Sequence, residues 1–134
     1  MIDAFLTIMD KEPFKVLFQH EAIAVAVSGG PDSMALGYLL ARWSNENSGP
    51  RIHIICVDHG LRPEAAAEAD FVGHVSEAWP KTEHFVLKWE GEKPTQRVQE
   101  SAREARYALL EAHCKAHGIT ALALGHHRDD QAET

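Results

Sequence analysis

Six consecutive residues, Ser28-Gly29-Gly30-Pro31-Asp32-Ser33, have the composition of an anion cradle. Two glycines let backbone N–H groups turn inward, Pro31 carries the φ of a first helical turn, and the helix N-terminus behind it adds positive potential. A phosphate is the expected occupant, although an ordinary strand-to-helix turn uses the same residue types. The Gly-Lys-Ser/Thr ending of the common ATPase loop is absent, which disfavours that class. Asp32 places a carboxylate inside the cradle, where it repels the anion unless a divalent cation such as Mg2+ bridges the two; the other use for Asp32 or Ser33 is as a helix cap.

A second cluster closes the sequence: His126, His127, Asp129, Asp130 and Glu133 put two imidazoles and three carboxylates within eight residues. Such a group marks a candidate site, the alternative being a solvated acidic helix start. Gln99, Arg103 and Arg106 recur at i, i+4 and i+7 along a helical pattern. Arg103 can pair with Glu100, but the helix neighbours of Arg106 include no carboxylate, so Arg106 is left to an external anion or to water. Asp58-His59-Gly60 is a further polar turn at the end of an apolar run.

Four strands and three helices must position these groups. Ala22–Val27 is a continuous apolar run, the pattern of a strand buried on both faces. A helix from Ser33 follows, with Leu36, Leu39, Leu40 and Trp43 at helical spacing, ending near 45–50. Ile52–Val57 is the second strand. The second helix begins at Pro63 with Phe71, Val75 and Ala78 as its apolar face, and Thr82–Trp89 alternates like a strand near a sheet edge. The third helix carries a stripe of Val98, Ala102, Ala105, Leu109, Ala112 and Ala116 and stops at Gly118; Ala121–Leu124 is the fourth strand. This alternation predicts a doubly wound parallel α/β sheet of Rossmann-like type. With strand order 3-2-1-4, the Ser28 loop and the His126 cluster face one crevice at the topological switch point.

The whole is expected to divide into a helical lead-in over residues 1–21, broken near Pro13, and a partial nucleotide-binding domain over 22–134. Thr134 falls four residues after Asp130, too few to nucleate a helix, so the fold reads as incomplete at its C-terminus, a piece of a larger protein with little activity expected of it alone. The 134 residues suit one domain, and 45% hydrophobic with 25% charged residues excludes disorder and low-complexity classes. No apolar run is long enough for a membrane span and no basic leader precedes the first apolar residues, so a cytoplasmic address is expected. A net charge of −7 disfavours a broad electrostatic grip on nucleic acid. Cys56 and Cys114 have no metal-ligand spacing and read as small core residues.

SGGPDS at 28–33, VDHGLR at 57–62 with Glu68-Ala69, the stretch from Gln99 through Ala102-Arg103 to Arg106-Tyr107, and GHHRDDQAET at 125–134 occur in this order. Together they resemble the PP-loop ATP pyrophosphatases, whose fold is the adenine nucleotide alpha-hydrolase-like one, and within them the N-terminal domain of the tRNA(Ile)-lysidine synthetases. Ala65 stands where that family often has Ser, and Arg97 where it often has Asn. The resemblance implies that ATP adenylates the C2 oxygen of the wobble cytidine of tRNA(Ile) with a CAU anticodon. L-lysine then displaces AMP to form lysidine. It further implies that Ser28, Gly29, Gly30, Pro31, Asp32 and Ser33 hold the ATP phosphates, with Asp32 on Mg2+, and that Asp58 lies near the nucleotide. Arg106, with Arg103, would neutralise phosphate charge, His126 and Asp130 would line the reacting centre, and Glu133 would hold the lysine ammonium. Three other readings stay open: a tRNA thiolase of the same superfamily, a metal-dependent phosphohydrolase using Asp58-His59 with the His126 cluster, and a non-catalytic nucleotide-binding module.

Overall fold

Continuous burial along the inner strands sets the layers of the molecule. The computed structural model describes residues 4–7, 21–61, 63–90 and 95–124. In chain order these form β1 (Ala4–Thr7), β2 (Ala22–Ala26), α1 (Pro31–Glu46), β3 (Arg51–Asp58), α2 (Glu64–Ser76), β4 (Thr82–Lys88), α3 (Val98–Ala116) and β5 (Ala121–Leu124). Ile23 and Val25 of β2 face one way and Ala24 and Ala26 the other, all at 0–2% exposure. A strand this fully covered needs helices on both faces of its sheet.

The five strands are parallel, in the order β1-β5-β2-β3-β4. The four strands expected from the sequence keep the order 3-2-1-4. The addition is β1, which pairs with β5 in the register Ala4↔Ala121 to Thr7↔Leu124. Residues 1–21 read as a helical lead-in, so Ala4–Thr7 departs from that expectation, while residues 8–20 lie outside the described residues. Short apolar runs fit either period, and the open edge of β5 supplies the N–H and C=O partners that decide for a strand.

Leu40 and Ala41 of α1 and Ala69 and Val72 of α2 pack with Ile23, Val25, Ile52, Ile54 and Cys56 on one face. On the other face Leu110 and Cys114 of α3 pack with Ala24, Ala26, Ile55, Leu122 and Leu124. Right-handed crossovers impose this division: moving outward from β2 through β3 to β4 puts both connections on one face, and the return to β5 must cross the other. The switch point therefore lies between β2 and β5, whose carboxyl ends are level in the pairing Ala26↔Leu124.

Two helical stripes differ from their sequence patterns. On α2 the buried residues are Ala65, Ala69, Val72 and Ser76, while Phe71 is 53% exposed. On α3 they are Leu110, His113 and Cys114, and Ala112 and Ala116 face solvent. Both helices are rich in alanine, whose small apolar contribution lets neighbouring larger side chains choose the buried face. Arg97, at the N-cap of α3, has φ +53, a left-handed conformation that L-residues other than Asn and Asp rarely adopt.

Candidate functional site

After Val27, whose N–H still bonds the Ile55 carbonyl at 2.9 Å, the chain leaves the sheet through a turn closed by its own serines. Ser33 Oγ accepts from the Ser28 N–H at 3.0 Å, lies 3.1 Å from Ser28 Oγ and donates to the Gly30 carbonyl at 3.4 Å. The Gly30 N–H in turn donates to Ser28 Oγ at 3.4 Å. Gly29 has φ +87; a Cβ there would meet Val72 and Glu68 only at ordinary contact distance, so conformation and not space calls for glycine. Gly30 occupies the N-cap of α1 and has no side chain with which to satisfy the amides of the first turn, which leaves them to an external acceptor. Pro31 and Asp32 are exposed at this helix start, whereas the Ser33 hydroxyl is buried and committed to the turn, so Ser33 can offer a ligand only its N–H.

Next to the loop, a cavity of about 180 Å3 opens between the ends of β2 and β3, with Ser28, His59, Glu68 and Arg106 as its polar lining. It adjoins a wider groove of about 600 Å3 bounded by Ser28, Gly29, Gly30, Glu64, Glu68 and Phe71. Arg106 reaches the cavity from the opposite face of the sheet. The N-terminal half of α3 thus projects to the carboxyl edge that β2 and β3 define. Arg103 is half-buried one turn earlier and does not line the cavity, and Gln99 is exposed.

Of the turn after β3, His59 rather than Asp58 lines the cavity. Asp58 Oδ1 accepts the Gly60 N–H at 2.9 Å, shaping a turn in which Gly60 has φ +73. His59 Nδ1 accepts the Leu61 N–H at 3.0 Å, which fixes the neutral ring as the Nε2–H tautomer and gives it a donor to offer a ligand. Glu68 and Phe71 were not singled out as site residues by their types; they lie three apart on α2, one on the cavity wall and the other on the groove. His126, Asp130 and Glu133, with the rest of their cluster, lie outside the described residues. The strand that leads to them, β5, ends level with Ala26, two residues before the loop.

Neither cysteine is a ready nucleophile. Burial, with the nearby Glu68 carboxylate, pushes the Cys56 thiol up to about 12, and burial pushes Cys114 up to about 11. They lie in the cores of opposite faces of the sheet.

A parallel sheet with a glycine-turned, amide-rich loop at its switch point defines a phosphate-binding α/β domain. The chain belongs to the PP-loop domain family, whose model matches residues 4–134. It is 50% identical to a tRNA(Ile)-lysidine synthase of Rhodopseudomonas palustris over 114 residues, 84% of this chain and 33% of that protein. It is 43% identical to one of Wolbachia pipientis over 117 residues, 87% of this chain and 27% of that protein. The chain thus spans about a third of the length of the curated relatives it matches. Among solved structures, the U34-tRNA thiolase NcsA from Methanococcus maripaludis, with its [4Fe-4S] cluster, shares the fold at TM-score 0.73 and 21% identity, over 84% of this chain and 40% of that one. Among the described residues, no helix is long and apolar enough to cross a membrane.

Proposed function

We propose that this chain is the ATP-binding part of an enzyme that converts the wobble cytidine of tRNA(Ile) to lysidine. The observation that carries the reading is convergence: the Ser28 loop, His59 and Arg106 meet at one carboxyl edge, and β5, the strand that precedes the His126 cluster in sequence, ends at that edge level with Ala26. Relatives named tRNA(Ile)-lysidine synthase, at 43–50% identity, support the choice of substrate.

In this reading the amides of Asp32 and Ser33 at the N-terminal end of α1 hold the ATP phosphates. The residues fit a magnesium nucleotide: Asp32, Glu64 and Glu68 surround the loop, and so many carboxylates beside a polyphosphate require a divalent counter-charge, which Asp32 is placed to help hold. Mg2+ supplies that charge neutralisation when bound. Arg106 offsets charge on the phosphate being attacked, with Arg103 one turn away, and the His59 Nε2–H donates to a phosphate oxygen. The cytidine C2 oxygen attacks the α-phosphorus and pyrophosphate departs; the lysine ε-amine then adds at C2 and AMP leaves with that oxygen. A carbonyl oxygen leaves poorly and an adenylate well, so activation must come first. His126 and Asp130 serve the reacting centre and Glu133 the lysine ammonium. Rate comes from positioning and charge neutralisation, with no covalent enzyme intermediate.

The buried, high-pKa thiols of Cys56 and Cys114 weigh against sulfur transfer by this part of the protein. The test is tRNA-dependent incorporation of labelled lysine, with release of pyrophosphate and AMP, by the full-length protein that contains this chain, acting on CAU-anticodon tRNA(Ile). Sulfur incorporation in place of lysine, or ATP binding without any turnover, would overturn the reading.

A further inference from the structure

At the amino-terminal side of the sheet, remote from the phosphate loop, three histidines converge between β3 and α3. His53 and His113 are buried at 7% and 8% exposure, and His117 is exposed at the C-cap of α3. His53 Nδ1 lies 3.1 Å from His113 Nε2, and one nitrogen from each of the three rings falls within 4.8 Å of the others. His113 and His117 are i, i+4 on one helix face and stack at 4.2 Å, while Phe85 stacks on His53 at 4.8 Å and backs the group with an apolar wall. His53 precedes Asp58 by five residues on β3, about 16 Å along the strand, so this cluster and the carboxyl-edge cavity are separate places.

We infer that His53, His113 and His117 form a binding site for a divalent transition-metal ion, Zn2+ first, which ties α3 to β3. Nitrogens on a tetrahedral Zn2+ at about 2.0–2.1 Å stand about 3.3–3.4 Å apart, a spacing His53 and His113 already approximate. The third ligand has only to turn its exposed ring inward. Three imidazoles without carboxylates select a borderline metal over Mg2+ or Ca2+. The C-terminal end of α3 carries the negative end of the helix dipole, which favours a cation, while Glu83, opposite His53 in the β3–β4 register, is already paired with Arg51 at 3.3 Å.

The inference is independent of the reaction proposed above. It is tested on tag-free full chain stripped with a chelator, titrated with Zn2+ by calorimetry and with Co2+ by visible absorption. The expected result is one saturable equivalent, intense low-coordinate Co2+ bands and a raised Tm with Zn2+. His117→Ala, at an exposed position where the fold is not at stake, should weaken binding at least about tenfold, since loss even of a supporting partner costs about 10–100-fold. His53→Gln, which keeps a hydrogen bond to His113 but is a poor zinc ligand, should do the same. No saturable binding, or affinity unchanged in either variant, overturns the site.

Discussion

The two edges of the sheet are built in opposite ways. At the carboxyl edge, the Ser28–Ser33 turn is held by hydrogen bonds between residues at most five apart and presents backbone amides and long polar side chains around an open cavity. At the amino edge, residues sixty apart meet through buried rings, with a helix laid over them. The first region is a local motif that tertiary structure merely aims. The second exists only because α3 packs against β3. Anion chemistry suits the first, where backbone N–H groups converge, and cation chemistry the second, where imidazole nitrogens do.

The helix that joins the regions is α3, with Arg106 toward one and His113 and His117 toward the other, and it offers the sharpest ways to separate them. Arg106→Ala should lower kcat/KM for lysine incorporation by about 10²–10³, the effect of removing one preorganised charge donor, with little change in Tm. His117→Ala should leave that rate intact. Initial-rate kinetics on the two variants decide whether the edges act separately; a loss below tenfold for Arg106→Ala would remove it from the machinery. Gly29→Ala, at φ +87, should destabilise the protein by about 1–2 kcal/mol in urea unfolding and weaken ATP binding, because an L side chain strains that turn.

A pH test addresses the amino edge alone. His113 is lowered from 6.5 to about 4 and His53 is also lowered, mainly by burial, against the opposing influence of Glu83 and with Arg51 and His117 adding to the depression. The unfolded chain therefore holds the proton more tightly than the folded one. Stability is full above about 6.5 and falls as pH drops from about 6.5 toward about 4. His113→Gln should flatten the fall of Tm over that range relative to the parent chain, the carboxylates being common to both. The smallest effect is expected from Arg97→Asn, which suits both the left-handed backbone and the N-cap of α3 and should add up to about 1 kcal/mol in urea unfolding, raising both edges alike.

The strands β2, β3 and β5 were legible because buried parallel strands are short, mostly apolar runs between turn residues, β4 because it alternates as an edge strand does, and the loop because its glycines, proline and acid are contiguous. The buried faces of α2 and α3 were not. Phe71, apolar and at helical spacing, lies in the groove, while Ala65 and Val72 pack inward. Spacing on an alanine-rich helix leaves several rotations open, and only the neighbouring sheet selects one. β1 escaped for a related reason: four residues carry too little period to name an element, and the edge it completes belongs to β5.

By itself, then, the sequence determined the alternation of elements and the phosphate loop, since each rests on interactions between near neighbours, while the strand order 3-2-1-4 followed from the family the motifs resemble. Tertiary structure alone decided that His59 and not Asp58 faces the cavity, that Glu68 and Phe71 join its walls, and that His53 meets His113 and His117. Those outcomes depend on how one element is rotated against another. That rotation is set by packing summed over the whole core, a quantity no stretch of chain contains.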